Sequence, residues 1–310
     1  MTASQYQRLV IRARKTQLHL TRAHVQRMES AYEAAASSLK AKLDLLGDAP
    51  LAGTSTADLL GEIDLELSRL RADTFSLLDT GMTDLAQEAC RREQQAEVLT
   101  GGAVDARLSA TLSLTRTLSN GESVSVSFSL LARSAVEAVA ARVYDDGYSL
   151  AGRLARLDTE ARKAVADALV QGVAEQVSSR ELGQRLETIL TKAGADCPRH
   201  RAATIAQTEI NNAHREAHYR STLDADGNKK SFISGIGWRL SPSHPKACRC
   251  DLLASDDSDG LGTGNYLVEN APTAPHPRCL CFTLTLLTDY PELQFPGKEP
   301  QPDDVPERLR

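Results

Sequence analysis

Two short segments in the last third of this 310-residue chain constrain its fold more than any other feature. They are His244-Pro245-Lys246-Ala247-Cys248-Arg249-Cys250 and His276-Pro277-Arg278-Cys279-Leu280-Cys281. Each offers one imidazole and two thiols, and together they hold four of the six cysteines. A structural zinc site takes four nitrogen or sulfur ligands in a tetrahedron, usually as two pairs from separate loops. Two ligand clusters at Pro-containing turns meet that need, provided the chain between them folds back. Cys-x-Cys replaces the commoner Cys-x-x-Cys, so both thiols of a pair reach one ion only if the backbone bends sharply. The spacing and residue types predict one zinc ion bound by Cys250, His276, Cys279 and Cys281, with His244 and Cys248 as substitutes. The alternative is a set of free thiols, with His244 and His276 bonding backbone carbonyls. The opening MTASQYQRLVIRARK has no apolar signal core. A reducing cytoplasm is therefore expected, where paired cysteines read as ligands or free thiols rather than disulfides.

The rest of the composition is that of a soluble protein, with 41% hydrophobic and 25% charged residues. Aromatics amount to 4%, with a single Trp, so the core must be built from Ala, Leu and Val in closely packed helices. A net charge of −5 excludes a globally basic nucleic-acid coat, but not a local patch. No apolar run is long enough to span a membrane.

From Ser4 to Leu46 there is neither Pro nor Gly, and Leu9, Ile11, Leu18, Leu20 and Val25 recur at helical spacing. One long helix or two joined helices are expected. Within it Arg8, Arg12, Arg14, Lys15, Arg22 and Arg27 occur without an acid before Met28. They read either as a solvated face or as a contact for nucleic acid or an acidic protein surface. A linker over 48–56 precedes a second helix, Ala57 to Leu99, with a candidate break at Gly81. Cys90 reads as a packed or surface thiol. Two alternating runs, Leu108 to Leu114 and Val124 to Leu130, flank Asn120-Gly121, the strongest short-range signal for a β-hairpin. Helices resume near Ala132 and run through Leu157 to Gln176. Another follows to Lys192, capped by Ser178 with Glu181 three residues on. After a turn over 194–198, a long helix covers Arg199 to Leu223. Phe232 to Leu240 and Phe282 to Leu287 read as strands, and the Pro-rich end as a tail on a surface or disordered.

His214 and His218 share one helical face, but Glu216 points away from both, which argues against a zincin-type protease. They read as solvent-facing. Thr208-Glu209 lies on a mainly apolar face, where a carboxylate is usually a partnered anchor. Gly260-Leu261-Gly262-Thr263-Gly264 reads as a loop needing positive φ, not a phosphate cradle.

Read in order, "TIAQTEINNAHREAHYRS", Trp238 in "GIGWRLSPSHPKACRCDLLA", "DGLGTGNY" and "APTAPHPRCLC" form a set. The set resembles the phage Mu F-like head morphogenesis family, the minor capsid or minor head proteins of tailed phages. The matching positions are Thr208-Glu209, Trp238, Cys250-Asp251, Gly260-Leu261-Gly262, His276-Pro277, Cys279 and Cys281. Gln207 stands where the family often has Arg. The resemblance implies a non-catalytic virion protein at the portal vertex, assembled in the host cytoplasm. It implies association with the portal protein and a role in head assembly, maturation or DNA delivery. Capsid protein, packaged DNA and other copies of the chain are further candidate partners, and no membrane is involved. Thr208, Glu209 and Trp238 would be structural.

The expected fold is α+β, mainly α. Residues 1–104 form an N-terminal helical region and 105–131 a hairpin or extended arm. Residues 132–287 form the Mu F-like module, with a Cys/His-rich cap of a few strands at 231–287, and 288–310 the tail. Two rivals stand beside the structural role. One is a zinc-dependent hydrolase using the cap, against which an all-Cys/His tetrahedron leaves no open position. The other is a nucleic-acid-binding protein using the basic helix. The arms are expected to order only on a partner, leaving 132–287 as the compact part.

Overall fold

Freedom from Gly and Pro lets the first segment run as a single helix, α1 (Ala3–Leu45), 43 residues long. Thr2 and Gln5 start it with a reciprocal capping box. Its buried side chains include Tyr6, Leu9, Val10, Ala13, Gln17, Thr21, His24, Met28, Tyr32, Ala35, Ala36, Leu39 and Leu43. They recur at three- and four-residue spacings and so form one stripe. The computed structural model describes residues 2–48, 56–144, 146–192, 197–244, 247–290, 295 and 298–305. Most of the predicted linker and of the turn at 194–198 lies outside the described residues, as do Pro245 and Lys246.

The second helix, α2 (Thr56–Thr100), runs back along α1, pairing Lys42 with Glu62, His24 with Asp84 and Arg12 with Gln95. Gly81 does not break it. A Cβ there would lie 2.7 Å from Ile210 Cδ1, so the missing side chain marks a close helix crossing rather than a helix end. The expected hairpin is β1 (Leu112–Thr117) paired with β2 (Ser123–Phe128). Gly121 turns it at φ 84°. Its outer face carries the hydroxyl pairs Thr115–Ser125 and Thr117–Ser123, and its inner face is covered by α2 through Val124 and Phe128.

The helical stretch expected from Ala132 through Leu157 to Gln176 is two helices, α3 (Leu130–Ala141) and α4 (Leu150–Ala174). Gly147 at φ 77° and the Ser149 cap separate them. Next come α5 (Ser179–Thr191), capped by Ser178 as read from the sequence, and α6 (Pro198–Ser221). The cap holds β3 (Ile233–Arg239), a short helix α7 (Arg249–Ser255), β4 (Asn265–Tyr266) and β5 (Phe282–Leu287). The strands form one antiparallel sheet in the order β4-β3-β5. With seven α-helices and two small antiparallel sheets among the described residues, the fold is α+β and mainly α.

One core joins the parts that were expected to stand apart. Met28 and Tyr32 of α1, Leu77, Leu78 and Leu85 of α2, and Phe128 of the hairpin pack with Val136 of α3 and Ile210 of α6. Each fully buried Leu there contributes about 1.5–3 kcal/mol of burial. The expectation that the N-terminal helices and the hairpin need a partner to cover them is therefore corrected, because α6 and α3 cover the helices and α2 covers the hairpin. Described tail residues also pack down: Phe295 stacks edge-on against Tyr6 at 5.9 Å, and Val305 is buried. No helix among the described residues is long and apolar enough to cross a membrane.

Candidate metal centre

Both Cys/His segments bend as their spacing requires. In each Cys-x-Cys pair the second amide turns back to the first sulfur: Cys250 N–H donates to Cys248 Sγ at 3.4 Å, and Cys281 N–H to Cys279 Sγ at 3.3 Å. Cys248 also caps α7, and Asp251 closes that turn by accepting from the Cys248 amide at 2.8 Å. The loop of 276–281 is held to α6 by polar bonds. Thr208 Oγ1 accepts from the Arg278 amide at 3.0 Å, and Gln207 Nε2 donates to the Arg278 carbonyl at 3.0 Å. They fix Arg278 at φ 58°, a left-handed conformation that carries the chain from His276 round to Cys279.

The six side chains meet. Three triads, Cys248–Cys250–His276, Cys250–Cys279–Cys281 and His244–Cys248–Asp251, each have their ligand atoms within 4.8 Å of one another. Cys250 Sγ lies 3.4 Å from Cys279 Sγ, and Cys248 Sγ 3.3 Å from His276 Nε2. These are not disulfide distances, since an S–S bond is about 2.05 Å. Two sulfurs at about 2.3 Å from a tetrahedral ion stand about 3.8 Å apart, close to what is seen. Cys250, Cys279 and Cys281 are buried and Cys248 partly exposed. The group could hold a metal ion.

The electrostatics favour anionic sulfur at Cys248 and Cys279, while the bonds that Cys250 makes to those sulfurs, and the Cys279 sulfur beside Cys281, push the other two thiols up. Cys248, hydrogen-bonded to Cys250 and facing His276, is held down at about 4 against the pull of burial. Burial disfavours the His276 cation, yet the Cys248 and Cys279 sulfurs push its pKa up to about 10. The bonds from Cys250 and Cys281, with the Arg215 guanidinium, hold Cys279 well below the usual thiol range. His244 stands one step back: its Nε2 bonds Asp251 Oδ2 at 2.7 Å and its Nδ1 lies 3.6 Å from Cys281 Sγ. A carboxylate behind an imidazole is the usual outer support of a metal centre.

Glu209 has partners on two other segments. It is fully buried, bonds Tyr144 Oη, and meets Arg153 at 3.3 Å. Asn212 links it to Arg215, whose Nη2 donates to the carbonyls of Cys279 at 3.0 Å and Cys281 at 3.1 Å. Arg215 also lies over the buried Trp238 ring at 5.5 Å. Gly260, Gly262 and Gly264 all have positive φ. The reading of His214 and His218 as solvent-facing is corrected. Both are buried, and His218 bonds Thr283 Oγ1 at 2.6 Å and Thr285 Oγ1 at 2.9 Å. Burial, with Arg92 nearby, keeps both neutral. Strand β5, packed on α6, gave no sign of this in the sequence.

Of the six N-terminal cations, Arg8, Arg12, Lys15, Arg22 and Arg27 are exposed, and Arg12 donates to Gln95 at 3.1 Å. Arg14 turns inward instead. It donates to the Leu280 carbonyl, reaches Ser241 Oγ at 3.5 Å and lies over the Phe282 ring at 4.8 Å. The sequence pattern missed Arg14 in this role, together with Arg215 and Asp251 as supports of the ligand loops. A Cys-x-x-Asp spacing is a capping-box signal that could have found Asp251. Compared with protein-family models, curated proteins and solved structures, the chain matches none of them.

Proposed function

We propose that this chain is a minor capsid protein of a tailed phage, a non-catalytic, portal-associated part of the head whose cap is closed by one zinc ion. The observation that supports this reading is convergence. Thr208, Glu209, Trp238, Cys250, Asp251, His276, Cys279 and Cys281 carry the resemblance to Mu F-like proteins, and they surround one buried cluster. Zinc fits the donor set: three thiolates and the His276 imidazole, with Cys250 and Cys279 in either arrangement and the third sulfur from Cys248 or Cys281. Four protein ligands leave no open position for a reactive water, which favours a structural over a hydrolytic role. When bound, the ion supplies a cross-link between the two ligand loops. The chain's own part is to hold those loops: Asp251 fixes the first, and Arg215 with Thr208 the second.

Two measurements test the reading. Elemental analysis of purified protein should give one zinc per chain. Co-purification with a portal ring, and presence in assembled heads, should follow. A zinc-free protein removes the metal part of the reading, and a chain that never accompanies portal or heads removes the rest.

A further inference from the structure

Three arginines from three helices converge on the start of β5, two of them buried and Arg14 partly buried. Arg14 comes from α1, Arg92 from α2 and Arg215 from α6. Between them they bond the carbonyls of Leu280 (Arg14), Thr283 (Arg92, 2.9 Å) and both Cys279 and Cys281 (Arg215). Arg92 is 5% exposed and Arg215 1%. None of the three has an acid within ion-pair distance among the described residues. Arg14 Nε, Arg92 Nη2 and Arg215 Nε are buried without a hydrogen-bond partner. Of the α2 carboxylates nearby, Glu93 is buried and accepts from Thr285 Oγ1 at 2.9 Å, Glu97 is buried and paired with Lys230, and Glu88 lies nearer the surface. His214 and His218 are neutral there and supply no counter-charge.

Buried like charges in such numbers are costly unless an anion compensates them. The metal centre can be that anion. A divalent ion with three thiolates and one imidazole carries a net charge of −1, whichever sulfur is the third. Arg14 and Arg215 lie against that centre through the carbonyls of Leu280, Cys279 and Cys281, the ligand loop itself. Without the ion, the cluster loses the cross-link that forces its thiolates together, and the arginines lose a fixed counter-charge.

We infer that the metal centre is the lock that fastens the first half of α1 onto the cap, with Arg14, Arg92 and Arg215 as its counter-ions. This inference rests on the zinc reading above and adds to it a linkage. Metal loading stabilises the docked position of α1, and the docked Arg14 strengthens metal binding by the same factor. Arg14 is a positioning residue here, since it touches the carbonyl of Leu280 between two ligands rather than the ion.

The test uses the full-length chain. Cobalt(II) is first substituted for zinc, and its absorption reports tetrahedral thiolate coordination. Amide hydrogen exchange is then followed across residues 6–20 of α1, with metal and after chelation. Chelation is expected to speed exchange there by at least about tenfold, while the α4–α5 region stays unchanged. The Arg14→Met protein should bind zinc about ten- to hundredfold more weakly, as outer supports of metal sites do, and Arg14→Lys should recover part of that loss. Unchanged α1 exchange after chelation overturns the inference while leaving the zinc reading intact. So does wild-type zinc affinity in Arg14→Met with a normal cobalt spectrum. A protein that gives no cobalt–thiolate absorption at all overturns the zinc reading first, and this inference with it. Because the exchange measurement is made on the wild-type chain, a poorly folding variant does not obscure the outcome.

Discussion

Where α2 crosses α6, Leu78, Met82, Leu85 and Ala86 meet Ala206, Ile210, Ala213 and Ala217, with nothing polar required to hold them. In the cap the count reverses. Trp238, Leu240 and Tyr266 share a small cluster with three buried cysteines, and the loops are fixed by side chains bonded to backbone: Thr208 and Gln207 on Arg278, Arg215 on Cys279 and Cys281, Asp251 on Cys248. The first region is stabilised by area removed from water, which is tolerant of detail. The second depends on directed bonds and on a ligand cluster, which fail together when one member is lost. One chain thus uses burial where apolar residues are plentiful and directed bonds where they are not.

The comparison breaks most visibly at Cys250, which belongs to two of the ligand triads. Structural zinc contributes on the order of 10 kcal/mol in small domains, so Cys250→Ser should lose the metal and unfold the cap. Trp238 is the single Trp of the chain and fully buried, so its emission should shift to the red while most of the far-ultraviolet helical signal remains. Simultaneous loss of both signals would show one cooperative unit instead of two regions held differently. Next in size is Leu85→Ala in the helical core. It should cost about 2–5 kcal/mol in urea unfolding, by equal amounts with zinc and after chelation. Dependence on zinc would tie the two regions more closely than their contacts suggest.

A smaller effect is expected at Gly235, where a Cβ would lie 2.4 Å from the Tyr266 carbonyl oxygen. Gly235→Ala should cost about 1–3 kcal/mol, read in Trp238 emission before the helical signal moves. The smallest concerns the seam between the regions, where Asp105 pairs with Arg107 at 2.6 Å and Lys230 at 3.4 Å. Burial pushes the Asp105 carboxyl up, but Arg107 and Lys230 outweigh it and hold it at about 2, against 3.8 when unfolded. A depressed folded pKa stabilises above the unfolded value and is lost as pH falls through the folded one. The stability gap between wild type and Asp105→Asn, no more than about 1 kcal/mol for a pair that solvent partly screens, should close as pH drops from about 4 to about 2.

The helical region was largely legible in advance because its signals are local. The Gly- and Pro-free run, the Ser178 cap and Asn120-Gly121 each specify their own few residues. What they could not specify was which faces meet. Gly81 read as a break because a close approach by Ile210, far away in sequence, leaves the same mark as a helix end. His218 read as a surface residue because its partners, Thr283 and Thr285, lie on a strand dozens of positions later. In the cap the ligand residue types and their pairing were legible, since thiols and imidazoles at that spacing serve few other purposes. Their supports were not, because an arginine that bonds a carbonyl looks in sequence like any other arginine. Arg14 was grouped with five exposed cations for that reason.

Tyr6, near the start of α1, donates its hydroxyl to the carbonyl of Thr285 in β5 at 2.6 Å, across 279 positions of chain. A ribosome adding about 5–20 residues per second needs roughly 15 to 55 seconds to cover that distance. Throughout that interval the leading end of α1 has been made and the strand that completes its packing has not. Tyr6, Leu9 and Val10, which finish beside Phe282 and Leu284, must wait with their apolar side uncovered. The nascent chain therefore offers a chaperone a defined target early in synthesis, and β5, made much later, is the strand that removes it.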